Sequence, residues 1–289
     1  MKKTLLKSVQ LLLILSFFFA VGCKKDVPVI GVALDKDNIT LSVGETEILK
    51  ETVYPEDATN KVVSWTSTNP IVATVAHGKI TATKVGTAGI VATTEDGNYM
   101  AMCILTVVSI DSGGVVINGV KWAGRNVAAP GRFAAKPEDP GMFYQWNRKV
   151  GWSVTDPMIN SDGGTTWDSF DATGTTWERA NDPCPPGWRV PTSYELQSLV
   201  NTGSQWTILN GINGCIFGRD DNLLFFPAVG NRNAAAGRLD DVGESGSYWS
   251  GTLLYSSNAY DLYFSSWIVS AYGTHGSRSC AFSVRCVSE

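Results

Sequence analysis

The sequence predicts two folded modules of different class. An all-β sandwich covers residues 28–109, a linker covers 110–115, and an α+β domain, loop-rich and braced by disulfides, covers 116–289. Three observations predict this. Apolar and polar residues alternate at period two before residue 110, the signature of half-buried strands. Beyond residue 115 the composition changes: nine of the ten tryptophans lie there, with ten arginines against three lysines. Four of the six cysteines (184, 215, 280 and 286) also fall in this second part. With 44% hydrophobic and 17% charged residues in 289, the chain can bury two cores and is not a disordered tail. A net charge of −4 without a basic block argues against nucleic-acid partners, which are held largely through phosphates. The two histidines, His77 and His275, leave little material for a histidine-based metal or acid–base site.

At the N-terminus, Lys2, Lys3 and Lys7 precede the apolar run Leu11–Ala20. That run is shorter than the roughly 20 residues a spanning helix needs, so residues 1–22 read as a secretory signal. Its end, Ala20-Val21-Gly22-Cys23, resembles the bacterial lipobox. The resemblance implies cleavage before Cys23, acylation of that residue and attachment to the outer membrane, with residues 23–27 as the tether. Acyl methylenes contribute about 0.8 kcal/mol each when buried, so a multiply acylated cysteine holds stably. Lys24-Lys25-Asp26 leaves the cell surface and the periplasmic face both open. Either compartment is oxidising, which permits disulfides.

In the first module the alternating runs are Ile39–Val43, Val62–Thr66, Val72–Val75, Lys79–Thr83, Ile90–Thr94 and Ala101–Val107. His77-Gly78 and Asp96-Gly97 fall between runs and suit hairpin turns, which need positive φ. Six or seven short strands in about 80 residues indicate an Ig-like sandwich. Val63 and Trp65 share a strand face, so Trp65 is expected in the core. Cys103 shares a face with Leu105 and Val107 and reads as a small buried hydrophobe. His77 reads as a solvated turn residue. The pieces Leu41-Ser42-Val43-Gly44-Glu45, Tyr54-Pro55, Trp65-Thr66-Ser67, Ala73-Thr74-Val75 and Gly86-Thr87-Ala88 resemble the bacterial Ig-like group 2 family. Such modules space or present another domain, an implication of the resemblance and not of the fold.

The second module has long stretches of weak periodicity at 128–139, 155–176, 231–246 and 270–279; loops of this length are usually functional or braced. One helix begins at Ser193, with Thr192 as N-cap and Glu195 three residues on, the pattern of a capping box. A shorter helix is expected over Thr176–Asn181. Cys184-Pro185-Pro186-Gly187-Trp188-Arg189-Val190-Pro191-Thr192 resembles the Fibrobacter major paralogous domain family. So do Val120-Lys121-Trp122-Ala123-Gly124-Arg125-Asn126-Val127, Phe143-Tyr144-Gln145-Trp146, Phe226-Pro227-Ala228-Val229-Gly230, Tyr248-Trp249-Ser250 and Phe282-Ser283-Val284-Arg285-Cys286-Val287. The order helix, Cys, strand, helix, with a second Cys near the end, is also similar to a C-type lectin-like fold. That resemblance implies a Cys184–Cys286 bridge and leaves Cys215 and Cys280 for a second one.

No G-x-S-x-G elbow, C-x-x-C, H-E-x-x-H or Walker loop occurs, so an enzyme is not expected. Formylglycine-generating enzymes have a related fold but need a reactive cysteine pair, and the surroundings of Cys215 and Cys280 do not resemble that site. Calcium-dependent lectins carry an E-P-N or Q-P-D loop and a W-N-D strand, neither of which is present. No cofactor is expected; the acidic groups at 156–162, 220–221 and 240–244 leave a structural calcium open but unsupported. The expected ligand residues are therefore the planar and charged groups Asn231, Arg232, Asn233, Arg238, Asp240 and Asp241, with Trp152, Trp167, Trp206 and Trp267 as aromatic platforms. The expected function is a lipid-anchored envelope protein, an adhesin or glycan-capture protein, whose partners are the membrane and a glycan or surface protein. The alternatives are a structural part of a surface assembly such as a fimbria, and a secreted enzyme.

Overall fold

The computed structural model describes residues 25–108, 114–272 and 276–289. The leader 1–22, Cys23, linker residues 110–113 and His275 lie outside the described residues. Among the described residues no helix is long and apolar enough to cross a membrane.

Residues 28–108 form the expected sandwich. One layer holds the strands Asn38–Ser42, Met100–Val108, Gly86–Thr94 and Val63–Ser67; the other holds Thr46–Ile48, Lys79–Ala82 and Ala73–Ala76. Leu41, Leu49, Val72, Ile80, Ile90 and Leu105 meet between the layers, and Trp65 packs against them half-buried. Alternation shows in the first part of Met100–Val108: Met102 and Ile104 face out while Cys103 and Leu105 are buried, and from Leu105 to Val108 every residue is buried. Burial pushes the Cys103 thiol up to about 11. His77 is exposed at φ 50° in the hairpin between Ala73–Ala76 and Lys79–Ala82. Gly78 follows at φ 74°, where a Cβ would stand 2.5 Å from the Leu49 carbonyl oxygen, so glycine is required.

The linker does not leave the modules independent. Strand Asn38–Ser42 pairs in parallel with Ser204–Leu209 of the second module, in register at Thr40 and Leu209. Ser204–Leu209 turns through Asn210-Gly211 into Ile212–Arg219, which pairs with Asn222–Pro227, making one sheet of seven strands. Both turn residues have positive φ, as a two-residue hairpin demands. The Thr40 and Thr207 hydroxyls are 2.7 Å apart, and Val108 of the sandwich is buried with Leu209, Ile216, Leu223 and Phe225. Lys84 and Asp221 form an exposed ion pair at 2.9 Å, which adds little in water.

The second module is mostly β, with one α-helix, Ser193–Val200, among its described residues. The capping box forms: the Thr192 hydroxyl accepts from the Glu195 N–H, and Glu195 accepts from the Thr192 N–H. Arg189 grips the same carboxylate through both terminal nitrogens, at 2.9 and 2.6 Å, and Leu196 and Leu199 are buried. The second expected helix, over 176–181, is corrected to a single 3-10 turn, Arg179–Asn181. Side chains satisfy its backbone instead. The Asn147 amide oxygen accepts from the Glu178 N–H at 2.8 Å, and the Trp177 indole donates to the Asn181 carbonyl at 3.0 Å.

Two aromatic cores organise the module. Trp122, Phe217, Phe226, Tyr248 and Phe264 lie under the helix. Trp146, Trp249 and Phe282 surround the Cys184–Cys286 disulfide, whose Cα atoms are 6.0 Å apart. Strands Val115–Ile117, Val120–Trp122, Val287–Ser288 and Trp188–Arg189 form a sheet that brings the start and end of the module together.

Candidate functional site

The long loops are held from inside by three buried arginines. Arg232 is 1% exposed and donates to the carbonyls of Ser153, Thr155 and Gly237 at 2.8, 2.7 and 2.7 Å, with Asp156 at 3.2 Å. Arg278 lies over the Trp146 ring and donates to the carbonyls of Ser256, Ala172 and Gly174. Arg285 lies over Phe226 and donates to Asn126, Ala123 and Phe225; burial without a carboxylate partner lowers its pKa to about 10. The expectation that Arg232 contacts a ligand is therefore corrected: its donors are spent on backbone, where its planar fork ties one loop to another.

Trp152 is corrected for the same reason. It is 3% exposed and packs on Trp167 with centroids 5.0 Å apart, while the half-buried Trp167 donates its indole N–H to the Ala234 carbonyl. Asn231 sits opposite Asp240 in a two-residue ladder. The Asn233 amide donates to Asp240, and Arg238 pairs with the same carboxylate at 2.7 Å. Partial burial raises the Asp240 carboxyl, but these two partners outweigh it and hold the pKa below the usual range. Arg238 alone of this group projects well into solvent, at 74% side-chain exposure.

The expected Cys215–Cys280 bridge is absent: both thiols are free. Cys215 is opposite Trp206 and Phe226 in the first aromatic core, whereas Cys280 packs against the second. Two separate cores cannot supply one disulfide geometry. Burial pushes the Cys215 thiol up to about 12 and raises that of Cys280, the reverse of what a nucleophilic cysteine needs. Among the described residues no group of three or more His, Cys, Asp or Glu converges as a metal site.

Three of the ten expected ligand residues, Trp206, Trp267 and Asp241, do converge, on an open cleft of about 520 Å³. Asn213, Glu244 and Tyr263 complete its chemistry. Trp267 stands at the tip of a tight turn, closed by the Ser265 N–H on the Ile268 carbonyl at 2.8 Å, and is 93% exposed. Trp206 is half-buried, edge-on to Phe264 at 6.4 Å, which fixes its ring in the wall. Asp241, at φ 58°, accepts the Glu244 N–H on its carbonyl, leaving its side chain exposed. The Asn213 amide donates to the Gly243 carbonyl at 2.8 Å and braces the floor. Indole and phenol faces beside two carboxylates and serine hydroxyls suit a polyhydroxylated ligand. Sequence reading missed Tyr263 and Asn213; the available signal was Ser265-Ser266-Trp267, polar turn residues carrying an aromatic between two strand runs.

A second open cavity, of about 620 Å³, is lined by Asn147, Arg148, Lys149, Asn160, Asp168 and Asp171 among others. Its main cation is already paired: Arg148 meets Asp168 at 2.6 Å and donates to the Phe170 carbonyl. The aromatic residue in its lining, Trp152, is buried.

Residues 28–104 match the family described as bacterial Ig-like domain (group 2). An uncharacterized protein of Clostridium acetobutylicum is 44% identical over 80 residues, 27% of this chain and 20% of that protein. An Ig-like virion protein of Serratia phage KSP90 is 42% identical over 83 residues, 28% of this chain and 32% of that protein. The chain thus spans a third or less of the length of these relatives. Domains 5–6 of the S-layer protein SbsC align over 89% of this chain and 96% of that one at 12% identity, but the TM-score of 0.24 is too low to assign a shared fold. The sandwich, its turns and the family match agree: residues 28–104 are a bacterial Ig-like domain of group 2.

Proposed function

We propose that this chain is a cell-envelope binding protein, lipid-anchored through Cys23, whose C-terminal module takes a glycan in the cleft beside Trp267. The C-type lectin-like and Fibrobacter paralogous assignments of residues 116–289 belong to this reading. Two observations support them: the Cys184–Cys286 bridge and the pairing of the module's second strand, Val120–Trp122, with its last, Val287–Ser288. One observation carries the binding role: an indole 93% exposed at the rim of a cleft that also presents Tyr263, Asp241 and Glu244. A glycan array probed with the chain from Lys25, next to Trp267→Ala, tests it. Trp267→Ala is expected to lose binding by about 2 kcal/mol, near 30-fold, as for an aromatic hot spot. Its stability should stay within about 0.5 kcal/mol of wild type, because the ring touches little. A blank array, or hits indifferent to Trp267→Ala, sinks the reading.

A structural role in a surface assembly is the second reading. It is favoured by the shared seven-stranded sheet and by the internal bonds that consume most of the polar residues of 231–240. A blank array together with concentration-dependent self-association in sedimentation would support it.

A further inference from the structure

The cleft beside Trp267 does not end at its own walls. Asn213 and Gly243, which form its floor, also line a second cavity of about 280 Å³. That cavity is mostly apolar, walled by Val154, Ile212, Ala228, Val229 and Val242, and its lining also holds Glu138, whose Oε2 is buried without a hydrogen-bond partner among the described residues. Gly211, at its far side, is shared with a third cavity of about 400 Å³, whose other wall belongs to the Ig-like domain: Lys36, Asn38 and Glu47. Three concavities therefore follow one another around the hairpin tip 210–213: a polar one, an apolar one, and one that mixes Lys36, Asn38 and Glu47 with Ile39, Leu41 and Ile208. The tip is fixed in place. The Asn210 side-chain nitrogen donates to Glu45 of the Ig-like domain at 2.8 Å and to Glu138 of the second module at 2.9 Å. The outer wall of the middle cavity is fixed too, since Arg232 holds the Thr155 carbonyl beside Val154.

We infer that these cavities form one binding trough that crosses from the C-terminal module onto the Ig-like domain, and that it takes a linear N-acetylated oligosaccharide. This rests on the glycan reading above. Linearity follows from the succession of cavities, which a single sugar would not fill. The acetamido group follows from an apolar cavity whose lining holds a buried, unpartnered carboxylate oxygen of Glu138. A hydroxyl-only chain would leave Val229 and Val242 facing polar groups, whereas an acetamido group donates its N–H to Glu138 and buries its methyl against those side chains. The Ig-like domain is then part of the site and not only a spacer.

The test uses the chain from Lys25 with two probe series by calorimetry: β-1,4-linked N-acetylglucosamine oligomers and β-1,4-linked glucose oligomers, each from disaccharide to hexasaccharide. The inference expects affinity for the acetylated series to rise at least about tenfold with length, and the glucose hexamer to bind at least about tenfold more weakly than its acetylated counterpart. Val242→Arg, at an exposed position of the apolar wall, should abolish that preference, with Ile212→Trp as a second block should the first disturb folding. Asn38→Ala should weaken the hexamer and leave the disaccharide unchanged. Binding that depends on Trp267 but not on length or acetylation overturns this inference and leaves the glycan reading standing. No binding by either series overturns the inference, while the array decides the reading itself.

Discussion

Replacing Arg232 by methionine separates an architectural arginine from a recognition arginine. Methionine keeps most of the buried volume but offers no donors, so the carbonyls of Ser153, Thr155 and Gly237 lose hydrogen bonds of 2.7–2.8 Å. Each bond from a charged donor contributes about 1.5–3 kcal/mol. Removing the guanidinium also removes its own desolvation cost, and the freed loop 153–156 can rehydrate at the surface. The balance, by analogy with a broken buried charged network, is a loss of about 3–5 kcal/mol. At roughly 2–4 °C per kcal/mol for a protein of this size, the midpoint of thermal unfolding should fall by about 10 °C. Tryptophan fluorescence during heating and in urea reads this directly, with Arg238→Met as control. Arg238 is largely exposed and, among the described residues, its side chain pairs only with Asp240, so its loss should cost under about 1 kcal/mol. A variant at 232 as stable as wild type, with the 238 variant the weaker of the two, would refute the assignment of Arg232 as a loop latch.

Two further outcomes follow from buried groups. Asp261 is 1% exposed and, among the described residues, accepts only a long bond from the Gly276 N–H, at 3.3 Å; desolvation raises its pKa to about 6. A raised carboxyl holds its proton longer folded than unfolded, so its contribution is complete below about pH 4 and is lost as pH climbs to 6, up to about 3 kcal/mol. Urea midpoints for Asp261→Asn should lack that decline; an unchanged slope between pH 4 and 6 would show that the carboxyl is not what titrates. Cys184→Ala with Cys286→Ala opens a loop whose ends are 102 residues apart, which in the chain-entropy model costs about 4–5 kcal/mol. A shift in urea midpoint worth less than about 1 kcal/mol would mean that the packing of Trp146 and Trp249 alone holds that core.

The sandwich was legible because period two writes the burial pattern into strands with one face in the core, as on Val63–Ser67, although Gly86–Thr94 is buried along most of its length. The helix was legible because its N-terminal signal is local: Thr192 and Glu195 satisfy each other within four residues. What the sequence hid is long-range. Nothing local says that Thr40 will face Thr207 across 167 positions. The thiols of Cys215 and Cys280 could not be assigned to different cores by counting cysteines. The arginine-rich loops misled for a physical reason: a guanidinium that reads a ligand and one that ties down a backbone carry the same residue type, and only burial distinguishes them.

That distinction also says where recognition is left to occur. A module with one short helix among its described residues has few regular hydrogen-bond ladders with which to stiffen its irregular chain, and every buried carbonyl in that chain still needs a donor. Arg232, Arg278 and Arg285 supply several donors each from single positions, so loop conformation is set internally, and the open cavity that the loops still enclose, beside Asn147 and Asp168, has its main cation paired. Open chemistry is thereby displaced to the hairpin tips that the arginines do not reach, those of Trp267, Val242 and Asn210-Gly211. One of these tips is bonded to Glu45 of the Ig-like domain, whose sheet continues into the same hairpin. A ligand that touches all three tips would read the relative placement of the two modules, which makes the fused sheet a condition of binding and not merely of stability.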